Sequence, residues 1–239
     1  MERGIVATNG MTIVDVTIPA VDLAHSFPLI SYSVSGGVYG AADSVGAELL
    51  DATTLRLSRR TVNVADFNVA WQVVTIPDAT IVHSNVAFSG VMASQGISTV
   101  DPARTFLVHT TTLTTAANAA SLLIETRIPA PDALAITREG NVSSADLSYY
   151  AVELARGYVT SGEYAWSANE SDHDIAVAAP QSAAFAFMQG GRSTSTADGI
   201  PGRAWSTMTA AGDKVHLHRD LAAANAAGTV YWQRIELER

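Results

Sequence analysis

Hydrophobic and polar residues alternate with a period of two along most of this chain. Val14, Val16 and Ile18 alternate with Asp15 and Thr17, Leu55 and Leu57 with Arg56 and Ser58, and Val69, Trp71 and Val73 with Ala70 and Gln72. A period of two places one apolar face on a pleated backbone, the pattern of a half-buried strand. Val, Ile, Thr, Tyr and Trp crowd these runs, as strand propensity asks. Turn signals separate them, among them Gly36-Gly37, Pro77-Asp78, Pro129-Ala130-Pro131-Asp132, Gly190-Gly191 and Gly212-Asp213. No long amphipathic stretch bounded by helix caps interrupts the series, so the chain is expected to be all-β.

The pattern also repeats. Phe27, Phe106 and Phe185 each lead an apolar run and fall 79 residues apart both times. Segments open at Arg3-Gly4-Ile5-Val6, Thr80-Ile81-Val82 and Arg156-Gly157-Tyr158-Val159, and close on aromatic-led strands around Trp71, Tyr149 and Trp232. Landmarks recurring in one order at one period mean three copies of one unit. The expected architecture is three tandem antiparallel β-sandwich or barrel-like modules of about 80 residues each, spanning 1–77, 78–155 and 156–239. In each, a strand ending on an apolar-x-Arg triplet (Leu57-Ser58-Arg59, Ile136-Thr137-Arg138, Leu217-His218-Arg219) is expected to form a hairpin with the closing strand. Modules this small bury only about 60 to 65 per cent of their unfolded surface, which predicts packing on one another or on partners. The units would form either a rod or a closed arrangement around a pseudo-threefold axis, and the rod, which needs only nearest-neighbour contacts, is the preferred expectation.

Composition narrows the functional classes. The 239 residues are 48% hydrophobic but only 15% charged, against about 25% for an average soluble domain, so Ser, Thr, Asn, Gln and backbone build the polar surface. A net charge of −9 argues against a nucleic-acid partner, which needs clustered cations. With no cysteine, disulfides and thiolate metal sites are ruled out. No secretory segment and no apolar run of membrane-spanning length is visible, so membrane insertion is not expected.

Candidate chemistry is sparse. The chain has no Gly-x-Ser-x-Gly elbow, Gly-rich phosphate loop, His-Glu-x-x-His or EF-hand loop, and it is read as a non-enzyme without cofactor. His216 and His218 share one face of a predicted strand and would chelate zinc if a third ligand came from Asp172-His173-Asp174. The matching positions of the other units hold Arg56-Ser58 and an Ala-Thr pattern, so the pair is read as solvent-facing and no metal is assigned. A polysaccharide hydrolase would draw on Asp172 and Asp174 as its acids. Arg59, Arg138 and Arg219 recur in register and are expected to blunt strand ends or pair with carboxylates such as Glu153 and Glu236, rather than to line an anionic groove. Trp71, Tyr149 and Trp232 alternate in phase with apolar neighbours and are expected in the core. Tyr32, Tyr39, Trp166 and Trp205 fall outside the repeated landmarks and are the expected contact surface, for protein or glycan.

The string Thr54-Leu55-Arg56-Leu57-Ser58-Arg59 followed by Trp71-Gln72-Val73-Val74 resembles the tandem small β-module repeats of structural proteins in tailed-bacteriophage particles. The second unit substitutes Tyr149-Tyr150-Ala151-Val152-Glu153-Leu154; the third keeps the aromatic in Trp232-Gln233-Arg234-Ile235-Glu236-Leu237 but breaks the apolar pair. The resemblance implies a non-enzymatic virion component, such as a head decoration, spike or tail appendage. It implies a multi-copy or homo-oligomeric assembly with other virion proteins as partners, and carries over no functional residue. A carbohydrate-binding or adhesion protein recognising a host-surface glycan is the alternative.

Overall fold

A computed structural model describes residues 1–8, 10–32, 44–60, 68–114, 123–140, 144–167, 170–193, 204–208, 212–219 and 228–238. The chain is all-β, and no helix occurs among the described residues. Among the described residues, eighteen strands fall into three sets of six. The first comprises β1 (Glu2–Ala7), β2 (Ile13–Thr17), β3 (Ser26–Tyr32), β4 (Gly46–Asp51), β5 (Thr54–Ser58) and β6 (Asn68–Thr75). The second comprises β7 (Ala79–Phe88), β8 (Met92–Gly96), β9 (Thr105–Leu113), β10 (Glu125–Ala130), β11 (Ala133–Thr137) and β12 (Ala145–Leu154). The third comprises β13 (Tyr158–Trp166), β14 (Asp172–Ala176), β15 (Ala183–Ser193), β16 (Ala204–Met208), β17 (Lys214–Arg219) and β18 (Gly228–Leu237).

Each set forms two three-stranded antiparallel sheets in one connectivity: β1-β6-β3 with β2-β5-β4, β7-β12-β9 with β8-β11-β10, and β13-β18-β15 with β14-β17-β16. The first four strands of each set alternate between the two sheets, the fourth and fifth pair within one sheet, and the sixth returns to the other as its middle strand. The expected hairpin between the Arg-terminated strand and the closing strand is therefore corrected. β5 and β6 lie in different sheets, each as the middle strand with both edges already paired. The hairpin partner is the preceding strand: β4 pairs β5 through a turn in which Asp51 Oδ1 accepts from the Thr53 amide at 2.7 Å.

Period-two alternation explains how the core divides. Val69, Trp71 and Val73 point into the first sandwich against Ala47, Leu49, Leu55 and Leu57. Leu147, Tyr149 and Ala151 do the same in the second set against Leu134 and Ile136, and Val230 and Trp232 in the third against Val215 and Leu217. Trp71, Tyr149 and Trp232 are all core residues. The opposite faces of β6, β12 and β18 turn to a further cluster holding Val74, Tyr150, Val152 and Ile235 together with Phe27, Phe106 and Phe187. β12 and β18 are buried on both faces over much of their length, whereas β6 keeps Gln72 exposed.

That shared cluster links the two junctions through the second set. Phe106 stands edge-on to Phe27 with centroids 5.6 Å apart, and edge-on to Phe185 and Phe187 at 6.4 and 6.1 Å. Both junctions meet at one ring.

Candidate functional site

The surfaces between sets are the most elaborated part of the molecule, and they solve one problem. β4 is an edge strand whose outer amides need acceptors. The second set supplies them as hydroxyls: the Ala47 amide donates to Thr110 Oγ1 at 2.8 Å and the Leu49 amide to the Tyr150 hydroxyl at 3.0 Å. In return Ser44 Oγ accepts from the Leu113 amide on the edge of β9, at 3.0 Å. Burial pushes the Tyr150 phenol up, so the group stays a neutral hydroxyl. At the second junction Gln233 replaces a strand. Its Oε1 accepts from the Leu107 amide and its Nε2 donates to the Leu107 carbonyl, both at 2.9 Å, as a neighbouring backbone would.

Charge follows the same plan with its sign reversed. Glu48 on β4 accepts from Asn85 Nδ2 at 3.1 Å and lies 3.8 Å from His83 Nε2, both on β7. One repeat later Arg127 on β10 pairs with Glu163 on β13 and sits over the Tyr231 ring at 5.6 Å. The bulge in β15 at Met188/Gly190 fits this junction closely, because a Cβ at Gly190, φ +127, would fall 2.0 Å from the Ile124 carbonyl oxygen.

In the sequence, Ser44 and Thr110 fall in the stretches 35–44 and 110–120 where the units diverge most, which read as loops, Tyr150 reads as an ordinary closing-strand residue, and Gln233 is polar inside an apolar closing strand.

The aromatic contact candidates fare differently. Trp166 is 4% exposed and packs with Val215, Leu217, Val230 and Trp232, so its assignment to a contact surface is corrected: it fills the core of the third sandwich. Tyr32 is half-buried against the first core, with its hydroxyl 3.4 Å from the Val45 amide. Trp205 lies on β16 in register with His218. Tyr39 lies outside the described residues.

Two of the recurrent arginines bind backbone. Arg59, 5% exposed, donates from Nη2 to the Met11 carbonyl at 3.0 Å, and Arg138, 2% exposed, from Nε to the Gly90 carbonyl at 2.9 Å. Each ties a strand end to the turn before β2 or β8. Pairing with the closing-strand carboxylates is corrected as well: Glu153 pairs with Arg104 at 3.2 Å and Glu236 with Arg234 at 2.9 Å. Arg219 ends β17 in register with Ala204.

The third set brings together the residues singled out on its predicted strands. Asp172 pairs with His218 and Asp174 with His216 across β14 and β17. Asp172 Oδ1 lies 2.6 Å from His218 Nδ1 and 3.4 Å from His216 Nε2; Asp174 Oδ1 lies 2.8 Å from His216 Nδ1. Hydrogen bonds from Ser171 and His218 hold the Asp172 carboxyl below its ordinary range, and those from His216 and Lys214 do the same for Asp174.

No protein-family model and no curated protein matches the chain.

Proposed function

We propose that this chain is a non-enzymatic structural component of a tailed-bacteriophage particle, in which repeated β sandwiches supply protein-protein contact surface. The observation that carries the reading concerns positions the junctions re-use. Asn85 and Glu163 occupy equivalent sites on β7 and β13, and each receives a side chain from the preceding set. Their counterpart on β1, Ile5, is 73% exposed. Gln72, the counterpart of Tyr150 and Gln233 on β6, is exposed too. The first set thus leaves open, at Ile5 and Gln72, part of the face that its two copies use for docking, while Phe27 and Val74 on the same face are packed in the shared cluster. A low-charge surface carrying Ile5, beside a sheet whose relatives in the same chain bury this face, suits a partner protein.

Quantitative mass spectrometry of purified particles from the source tests this. The reading expects the chain in stoichiometric copies, few for a tail piece and hundreds for a shell decoration, and expects Ile5→Glu to reduce its incorporation. Particles that lack the chain contradict it.

A further inference from the structure

The outer face of the β14-β17-β16 sheet carries a constellation that a purely structural role does not use. Val215 and Leu217 are fully buried, so alternation sends His216 and His218 to the opposite face of β17. The ladder places Asp172 and Asp174 directly across from them. We propose that Asp172, His216 and His218 form a binding site for one divalent transition-metal ion of the zinc class, with solvent completing the coordination.

Three observations carry this. Donor atoms of the three residues all lie within 4.8 Å of one another. Zinc at about 2.0 to 2.1 Å from each donor in a tetrahedron sets donors about 3.3 Å apart. The 3.4 Å between Asp172 Oδ1 and His216 Nε2 already meets that spacing. The 2.6 Å between Asp172 and His218 must open by under about 1 Å, which side-chain torsions of half-exposed groups supply while the ladder stays fixed.

The second observation is the outer partner. Asp174 accepts from His216 Nδ1 at 2.8 Å, and Nε2 of the same ring is the atom that faces Asp172. A carboxylate on one imidazole nitrogen with the other nitrogen presented to a ligand is the arrangement that orients metal-binding histidines. Lys214 Nζ donates to Asp174 Oδ2 at 3.2 Å and fixes that carboxylate in turn.

The third is the contrast with the equivalent surface of the other sets. In the first set, Arg56 and Asp15 fill the places of His216 and Asp174 with a two-point ion pair, both bonds 2.8 Å. In the second, Ala135 faces Ser94 and Thr137 faces Met92. Only the third set places two imidazoles and a carboxylate there, and two nitrogens with one oxygen suit Zn2+, Co2+, Ni2+ or Cu2+ over Mg2+ or Ca2+.

Calorimetric titration of the chelator-stripped full chain with Zn2+ tests the site. One ion per chain is expected, without competition from excess Mg2+. His216→Ala, His218→Ala and Asp172→Asn should each abolish binding, and Asp174→Asn should weaken it about 10-fold by releasing the His216 ring. All four positions are substantially exposed, and unchanged circular dichroism identifies variants that fold. Co2+ provides a second readout, expected to give the strong visible bands of a four-coordinate site that disappear in His216→Ala. Absence of saturable Zn2+ binding overturns the proposal; so does binding that persists unchanged in both histidine variants, or Co2+ spectra showing only the hexaaqua ion.

Discussion

Gly4 lies directly across the ladder from Trp71, and a Cβ there would fall 2.7 Å from Cζ2 of the indole. The third set repeats the arrangement with Gly162 and Trp232 at 2.9 Å. In the second set the smaller Tyr149 faces Ser84, whose side chain hydrogen-bonds the phenol. Ring size on the central strand dictates what the neighbouring strand can carry. Gly4→Ala and Gly162→Ala should each destabilise the protein by about 1 to 3 kcal/mol through overpacking. Ser84→Ala loses one hydrogen bond, about 1 kcal/mol. Denaturant midpoints check the ranking, and equal effects at Gly4 and Ser84 would contradict it.

Arg138 and Arg56 end up in opposite circumstances although both lie in Arg-containing strand segments. The Arg138 guanidinium is buried, bonds the Gly90 carbonyl and stacks over Phe88 at 4.6 Å. Arg138→Met should cost about 1.5 to 3 kcal/mol, because a charge-assisted hydrogen bond to the Gly90 carbonyl is lost. Arg56→Met should leave the thermal midpoint where it is, since its pair with Asp15 is solvent-exposed and screened.

His109 predicts how stability follows pH. Its Nδ1 lies 3.0 Å from Thr126 Oγ1 at the second junction, and burial holds its pKa down to about 4 from the ordinary 6.5. Above pH 6.5 the ring is neutral in both folded and unfolded chains, and its contribution is fully present. Between pH 6.5 and 4 the unfolded chain takes up a proton that the folded one refuses, so stability falls as pH falls. The residue keeps some solvent contact, which reduces the loss to between about 1 and 3 kcal/mol. Chemical denaturation at pH 7.5 and 4.5 should show this loss, and His109→Gln should remove that part of the pH dependence.

Strands and their buried faces were legible from alternation, because a one-residue slip would have exposed Trp71 or Leu147. The face shared by His216 and His218, and its approach to Asp172, followed from the same rule. Strand order did not. β5 and β6 are neighbours in the chain and look like hairpin arms, yet each is the centre of its own sheet, and centrality depends on which distant strands pair with it. Trp166 was misplaced because its repeat counterpart is Phe88, another core ring, and the match is hidden by the change of residue type. The cap Tyr150 is not legible because a hydroxyl on a strand says nothing of the edge it will reach.

Neighbouring sets cap one another's strand edges with side chains. Tyr150→Phe removes the acceptor of the Leu49 amide and should cost about 1 to 3 kcal/mol. Native-state hydrogen exchange of the Ala47 and Leu49 amides is the most direct measurement. Capped edges predict protection close to that of central-strand amides such as Val152, falling for Leu49 alone in Tyr150→Phe. Exchange of both amides at the rate of an open edge strand in the unmodified chain would contradict the claim.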